Sequence, residues 1–170
     1  QLIWVVLGFL SLSFFSWFNY RHLRFFAPIA FFGSLLLLMA VFIPGLGVSA
    51  GGAHRWLRIG IVTIQPTEIV KLTSIIFFAT LFTKDISAVV KQNRVVPFGI
   101  LVGIVALIIG VLQKDLGSTL VFFFTSLALY VMAAQPMKYF WTLIPVSLIG
   151  FVLFVLSSTY RRQRILAFLD

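Results

Sequence analysis

Glu68 and Lys71 are the residues of this chain best placed to do chemistry in an apolar setting. They stand three positions apart at the start of an apolar run, in a chain with 4 acidic residues. Ionisable side chains inside a membrane span are costly and mark functional sites. Glu68 follows Pro66 and could simply favour the helix start, because a first-turn carboxylate meets the positive end of the helix dipole. That role leaves Lys71 unexplained, and an i,i+3 pair would partly neutralise both charges.

A second group of charges precedes the predicted fifth apolar span, at Lys114 and Asp115. Asp115 could cap the following helix or partner the ammonium of Lys71. If successive spans alternate across the membrane, the third begins and the fourth ends on one side. The sequence therefore predicts one intramembrane charged cluster of Gln65, Glu68, Lys71, Lys114 and Asp115. The carboxylates of Glu68 and Asp115 are compatible with a divalent cation, Mg²⁺ or Mn²⁺, without specifying one; no other cofactor is predicted.

The composition indicates what kind of protein must position these residues. Hydrophobic residues make up 61% of the chain and charged residues 10%, and the mean hydropathy is +1.12. Such a chain cannot hide its apolar surface in one water-soluble core, which indicates an integral membrane protein. The net charge of +9 would suit a nucleic-acid binder in a soluble domain, but the cations lie between apolar runs, so nucleic acid is not a predicted partner. The absence of cysteine excludes disulfides and cysteine metal sites.

Six apolar segments each approach the ~20 residues that a membrane helix needs. Lipid leaves backbone amides no external partners, so helices are expected. The predicted fold is an all-α, polytopic bundle forming a single transmembrane domain over residues 1–170. Pro28 is expected near the first turn of the second span. The spans are placed at about 2–18, 25–44, 66–82, 95–112, 116–134 and 140–157.

The connection over residues 45–65 is long and glycine-rich, and it carries Trp56 between Arg55 and Arg58. It is predicted to be extracellular, lying on the membrane surface or folding back into the mouth of the bundle. The cations fall equally on the two sides of the membrane, although cytoplasmic loops normally hold the excess. An anionic ligand at the outer face would retain arginines there, because guanidinium forks suit phosphate or pyrophosphate. The alternative is an interfacial anchor with snorkelling arginines.

Four segments in this order resemble the FtsW/RodA/SpoVE (SEDS) family: Gly52–Trp56, Gln65–Lys71, Gln113–Gly117 and Tyr160–Asp170. One departure is Lys114, which stands where the family usually has proline. The lysine adds a cation and leaves that loop less rigid.

The resemblance implies a bacterial glycosyltransferase that polymerises lipid II into peptidoglycan strands for division, elongation or sporulation. It would work from the outer face of the cytoplasmic membrane with a class B penicillin-binding protein and other divisome or elongasome proteins. Such a protein is a bundle of roughly ten membrane helices, of which this chain would be the N-terminal half. Residues 158–170 would begin a large extracellular loop, with the catalytic aspartate after Asp170 and no catalytic residue within the chain. Arg55, Arg161 and Arg164 are the candidate substrate-binding residues.

Two other classes of protein would share these features. A flippase or transporter of lipid-linked precursors would also need a cationic cavity and intramembrane charges. A non-catalytic membrane scaffold for a penicillin-binding protein would need only helix surfaces. As an alternative to substrate binding, Arg55, Arg161 and Arg164 could be ordinary surface residues.

Overall fold

The computed structural model describes residues 2–50, 53–60, 62–83 and 94–133, together with the single residues 138, 139, 141 and 145. The chain divides into two compact units, which are described separately. The first comprises Gln1–Ser49 and Arg55–Lys84, and the second comprises Ala50–His54 and Asp85–Asp170.

The first unit begins with two helices, α1 (Leu2–Trp17) and α2 (Tyr20–Ala40). Asn19 caps α2, since its side-chain oxygen accepts a hydrogen bond from the amide of Arg21 at 3.0 Å. The helix therefore begins five residues before the predicted start of the second span, and it ends four residues before the predicted end. Pro28 consequently lies inside α2, not near its first turn. The prediction was wrong because it took the first apolar residue as the helix start and overlooked the cap.

Helix α3 (Pro66–Thr83) packs against α2 through polar and aromatic contacts. The hydroxyls of Ser34 and Thr73 lie 2.8 Å apart across the two helices. The rings of Phe31 and Phe77 stack with centroids 4.6 Å apart and planes within 4° of parallel. Helices in lipid associate through such close packing and interhelical hydrogen bonds, so these contacts define the α2–α3 pair. The buried apolar side chains of the pair include Leu38, Val70 and Phe78.

A small sheet, absent from the sequence prediction, occupies the connection between α2 and α3. Its strands β1 (Gly47–Ala50), β2 (Ala53–Ile59) and β3 (Val62–Ile64) lie in the order β1-β2-β3. Strands β2 and β3 are antiparallel, with Ile59 opposite Val62. Gly60 opens the two-residue turn with a φ of +62°, the conformation that a tight hairpin requires and that glycine adopts without strain.

The second unit contains α4 (Val95–Leu107), a π-helical turn (Ile108–Leu112) and α5 (Leu116–Met132). The amide of Gln113 donates to the carbonyl of Ile108 at 3.0 Å, the five-residue step that defines a π-helix. Helices α4 and α5 pack together, with the rings of Phe98 and Tyr130 5.8 Å apart.

Three helical segments of the described residues are long and apolar enough to cross a membrane: Tyr20–Ala40, Pro66–Thr83 and Val95–Leu112. The apolar stretches Val5–Trp17 and Leu116–Met132 are shorter. The described residues thus form a mostly helical membrane protein. The predicted sixth span, 140–157, lies outside the described residues except for Trp141 and Pro145, so the count of six and the single transmembrane domain stay predictions.

Gly47 offers a test of how the sheet is joined to α2. Its amide donates to the carbonyl of Ile43 at 3.2 Å, and an added Cβ would overlap the backbone oxygen of Val41 and lie 2.9 Å from its carbonyl carbon. Because backbone cannot yield as a side chain can, Gly47→Ala should lower the free energy of unfolding in detergent by about 1–3 kcal/mol. Gly33→Ala is the matched control, since no atom beyond the local backbone of its own helix lies within 4 Å of its added Cβ. Equal stability of the two variants would contradict the prediction.

Candidate functional site

The first two residues of α3 bury its N-terminus in the protein. Pro66 and Thr67 are fully buried, whereas Glu68 in the same turn is exposed. The amide of Glu68 donates to the carbonyl of Gln65 at 3.1 Å, which closes the first turn. Proline suits this position because the first amides of a helix have no intrahelical acceptor. The buried start therefore sets the direction in which Glu68 and Lys71 project.

Glu68 and Lys71 form the ion pair that their spacing predicts. Nζ of Lys71 lies 2.7 Å from Oε1 of Glu68. The Lys71 side chain is 19% exposed and that of Glu68 is 58% exposed, so the lysine is the more covered partner and the glutamate the more accessible one. An anionic oxygen of a ligand could exchange with Glu68 for the ammonium, because both would form charge-assisted hydrogen bonds. The pair can thus bind an anion or hold the end of α3 without one.

The two arginines of the connection, Arg55 and Arg58, lie on opposite faces of strand β2. Leu57 is 5% exposed, Arg55 is half-buried, and Trp56 and Arg58 are exposed. Because alternate residues of a strand share a face, Arg55 lies on the face of buried Leu57, and Arg58 lies on the opposite face with Trp56. Arg55 is therefore the arginine that faces protein. The other two substrate-binding candidates, Arg161 and Arg164, lie outside the described residues.

Asp115 caps α5, one of the two roles that the sequence left open. Its Oδ1 accepts from the amide of Ser118 at 3.1 Å, and its Oδ2 accepts from the Ser118 hydroxyl at 3.0 Å. The amide of Asp115 donates to the carbonyl of Ile109 at 3.1 Å, which ties the cap to the π-helical turn. Asp115 is almost fully buried and Gln113 fully so. No role was predicted for Gln113, although a glutamine at the end of an apolar span was the available signal.

The predicted cluster of five polar residues is divided between the two units. Gln65, Glu68 and Lys71 belong to the first unit, and Lys114 and Asp115 belong to the second. Their assembly into one cluster stays a prediction.

The described residues do not present a ready set of ligands for a divalent cation. Within the described ranges, no three His, Asp or Glu side chains lie close enough to share a metal ion. The two carboxylates proposed as ligands already have protein donors, since Lys71 binds Glu68 and Ser118 binds Asp115. Hard divalent cations prefer six or more oxygen ligands. The Mg²⁺ or Mn²⁺ site stays a prediction, and no chemical step is assigned to it.

Lys114 adopts a backbone conformation that proline cannot. Its φ is +53°, whereas the proline ring fixes φ near −65°. A left-handed residue other than glycine carries a cost of roughly 1–2 kcal/mol. The connection between the π-helical turn and α5 therefore follows a path that a proline at position 114 could not take.

This conformation predicts an order of stability for three variants of Lys114. Lys114→Gly should raise the free energy of unfolding by about 0.5–1 kcal/mol, because relief of the left-handed strain exceeds the extra chain entropy of glycine. Lys114→Pro should lower it by more than about 1 kcal/mol, because φ must change. Lys114→Ala, which removes the charge and keeps the strain, is the control. Denaturation in detergent measures the order; a proline variant as stable as the alanine variant would refute it.

Two proteins similar to this chain carry the same name. A protein from Allochromatium vinosum named "Probable peptidoglycan glycosyltransferase FtsW" is 34% identical over 142 residues, covering 82% of this chain and 35% of that protein. A protein of the same name from Geobacter metallireducens is 32% identical over 177 residues, covering 100% of this chain and 45% of that protein. The chain therefore spans less than half the length of these relatives.

Two solved structures share the fold. One, titled "Structural coordination of polymerization and crosslinking by a peptidoglycan synthase complex", matches 100% of this chain and 50% of that chain at a TM-score of 0.69 and 26% identity. The other is the Rod shape determining protein RodA of Thermus thermophilus, which matches 91% of this chain and 49% of that chain at a TM-score of 0.67 and 27% identity. The family described as "Cell cycle protein" matches residues 1–170. The chain belongs to the FtsW/RodA/SpoVE family.

Proposed function

We propose that the protein to which this chain belongs is a peptidoglycan glycosyltransferase that polymerises lipid II into glycan strands. The observation that carries the proposal is the family match over residues 1–170. Relatives named as probable peptidoglycan glycosyltransferases support it. The chain covers only part of each relative, so the activity is assigned to the whole protein and not to these 170 residues alone.

The proposed setting is the bacterial cytoplasmic membrane, with a multi-pass chain and the active face outward. Three span-capable helices support the membrane location. A class B penicillin-binding protein is the proposed partner, because the strands must be cross-linked after they are made. The matched complex, whose title couples polymerization to crosslinking, supports a partnership of this kind. Other divisome or elongasome membrane proteins are proposed as further partners.

The proposed chemistry needs a general base and cationic side chains that bind the pyrophosphate. The base takes a proton from the acceptor sugar hydroxyl, and cations stabilise the pyrophosphate that departs with its lipid. By the family resemblance, the base is an aspartate after Asp170. Arg55, Arg161 and Arg164 are the proposed ligands of the pyrophosphate, and the half-buried position of Arg55 on the protein-facing side of β2 supports its share of that role.

The Glu68–Lys71 pair is proposed to support this site and not to make or break bonds. The lysine side chain is largely covered, and its ammonium is held at 2.7 Å by the carboxylate, which suits an electrostatic element of fixed position. A lysine in this arrangement can donate a charge-assisted hydrogen bond to a neighbouring anion. The pair is therefore expected to affect how well the substrate is held more than the proton transfer itself.

The direct test is to supply purified lipid II to the full-length protein with its penicillin-binding partner and to measure glycan chains. Polymer formation is the expected result. Movement of lipid II across a vesicle membrane without polymer would replace the proposal with a flippase. The absence of both activities, with a folded complex, would indicate a scaffold.

Lys71→Met is predicted to reduce polymerisation by about tenfold or more, equivalent to about 1.4 kcal/mol of transition-state stabilisation. The substitution removes the charge and keeps a similar length. Lys71→Arg should retain most of the activity, because it keeps a cation that can pair with Glu68. Lys138→Met, the same change at an exposed lysine, is the matched control and should leave the rate unchanged. Full activity of a folded Lys71→Met variant would show that the pair is not part of the site.

A further inference from the structure

We infer that one face of the β2–β3 hairpin rests on the phospholipid headgroups of the membrane, with Arg58 bound to lipid phosphate. This face, called here the outer hairpin face, is formed by Trp56, Arg58 and Thr63. The proposed function uses none of these residues. The occupant inferred is the bulk phospholipid of the bilayer and not the lipid-linked substrate.

The sheet register places the three side chains on one face. Arg58 lies directly opposite Thr63, and the next cross-strand pair is Leu57 and Ile64. Side chains alternate along each strand, and directly paired residues share a face. Trp56, Arg58 and Thr63 therefore point away from the face that buries Leu57. All three are exposed, and Trp56 is 37% exposed.

The hairpin lies at the end of two candidate membrane spans. It connects α2 to α3, and these helices pack against each other. Strand β3 ends at Ile64, two residues before α3 begins at Pro66. Since Leu57 pairs with Ile64, the neighbouring Trp56 lies level with the start of α3. Trp56 is therefore close to the boundary where the hydrocarbon layer ends.

The spacing along β2 fits the thickness of the headgroup layer. Arg58 follows Trp56 by two residues, which is about 7 Å along a strand. The polar layer on each side of a bilayer is roughly 5–7 Å thick. Trp56 can thus sit at the edge of the hydrocarbon while Arg58 reaches the phosphates. Tryptophan is enriched at this boundary, and the arginine fork matches phosphate oxygens.

Exposed apolar residues beside Arg58 favour lipid as the occupant. The amide of Arg58 donates to the carbonyl of Leu46 at 3.0 Å, so the α2–β1 connection runs along the edge of β2 beside Arg58. That connection exposes Ile43 to 51% and Leu46 to 46%. An apolar rim beside an arginine and a tryptophan at the end of membrane helices matches the layered chemistry of a bilayer surface.

Depth-dependent quenching of tryptophan fluorescence tests where Trp56 lies. The full-length protein would be placed in phosphatidylcholine bilayers carrying a spin label at the headgroup, at acyl carbon 5 or at acyl carbon 12. Subtracting the signal of Trp56→Phe isolates Trp56. Headgroup and carbon-5 labels should quench this signal at least twofold more strongly than the carbon-12 label. A Trp56 signal that no lipid label quenches would overturn the inference and indicate a face open to water or covered by protein.

A second measurement tests Arg58 and separates anionic lipid from other anions. The thermal midpoint of the full-length protein is compared in nanodiscs of phosphatidylcholine alone and of phosphatidylcholine with phosphatidylglycerol. A ligand that binds only the folded state raises its stability, so the midpoint should be higher with phosphatidylglycerol. Arg58→Gln should remove part of that rise, and Arg58→Lys should keep most of it. Equal rises in wild type and Arg58→Gln, or a rise reproduced by soluble phosphate, would overturn the inference.

Discussion

The scarcity of hydrogen-bond partners in lipid is the constraint on which the rest of this structure depends. A polar group in hydrocarbon must be satisfied by the protein itself. The hydroxyls of Ser34 and Thr73 meet each other, and each also lies within hydrogen-bonding distance of a carbonyl of its own helix. Glu68 and Lys71 satisfy the same demand with charges at the end of α3. The pairing of α2 with α3 and the Glu68–Lys71 pair thus both follow from the need to satisfy polar groups within the protein.

Several features could be predicted because one or two residues decide them locally. The Gln65-Pro66 pair predicted a helix start, and α3 begins at Pro66. The spacing of Glu68 and Lys71 predicted an ion pair, which the structure forms. Asp115 was a possible cap and is one. Family membership was predicted from four motifs and is confirmed over the whole chain. The helix start, the ion pair and the cap rest on short-range relations within the sequence, whereas family membership rests on the order of four separate motifs.

Other features depend on strand pairing, helix capping and side-chain orientation, which were not read from the sequence. The sheet depends on the pairing of β2 with β3, and the glycines of that connection indicated turns without indicating strands. The start of α2 was missed because Asn19 precedes the apolar run. Strand alternation separates Arg55 from Arg58, although the two are close in sequence. The proposed roles of Arg161 and Arg164 still rest on the family resemblance.

The π-helical turn places one more residue in the segment before α5 than an α-helical turn would hold. Removing one residue from Ile108–Leu112 would allow an ordinary α-helical turn, which is the more stable backbone. In a continuous α-helix, a deletion rotates everything beyond it by about 100° about the helix axis and draws it back by about 1.5 Å. At the π-helical turn the loss of the extra residue offsets that rotation, so Asp115 and the start of α5 would stay close to their present positions. The segment before α5 is therefore a place where the chain can change its length by one residue without displacing the cap of the next helix.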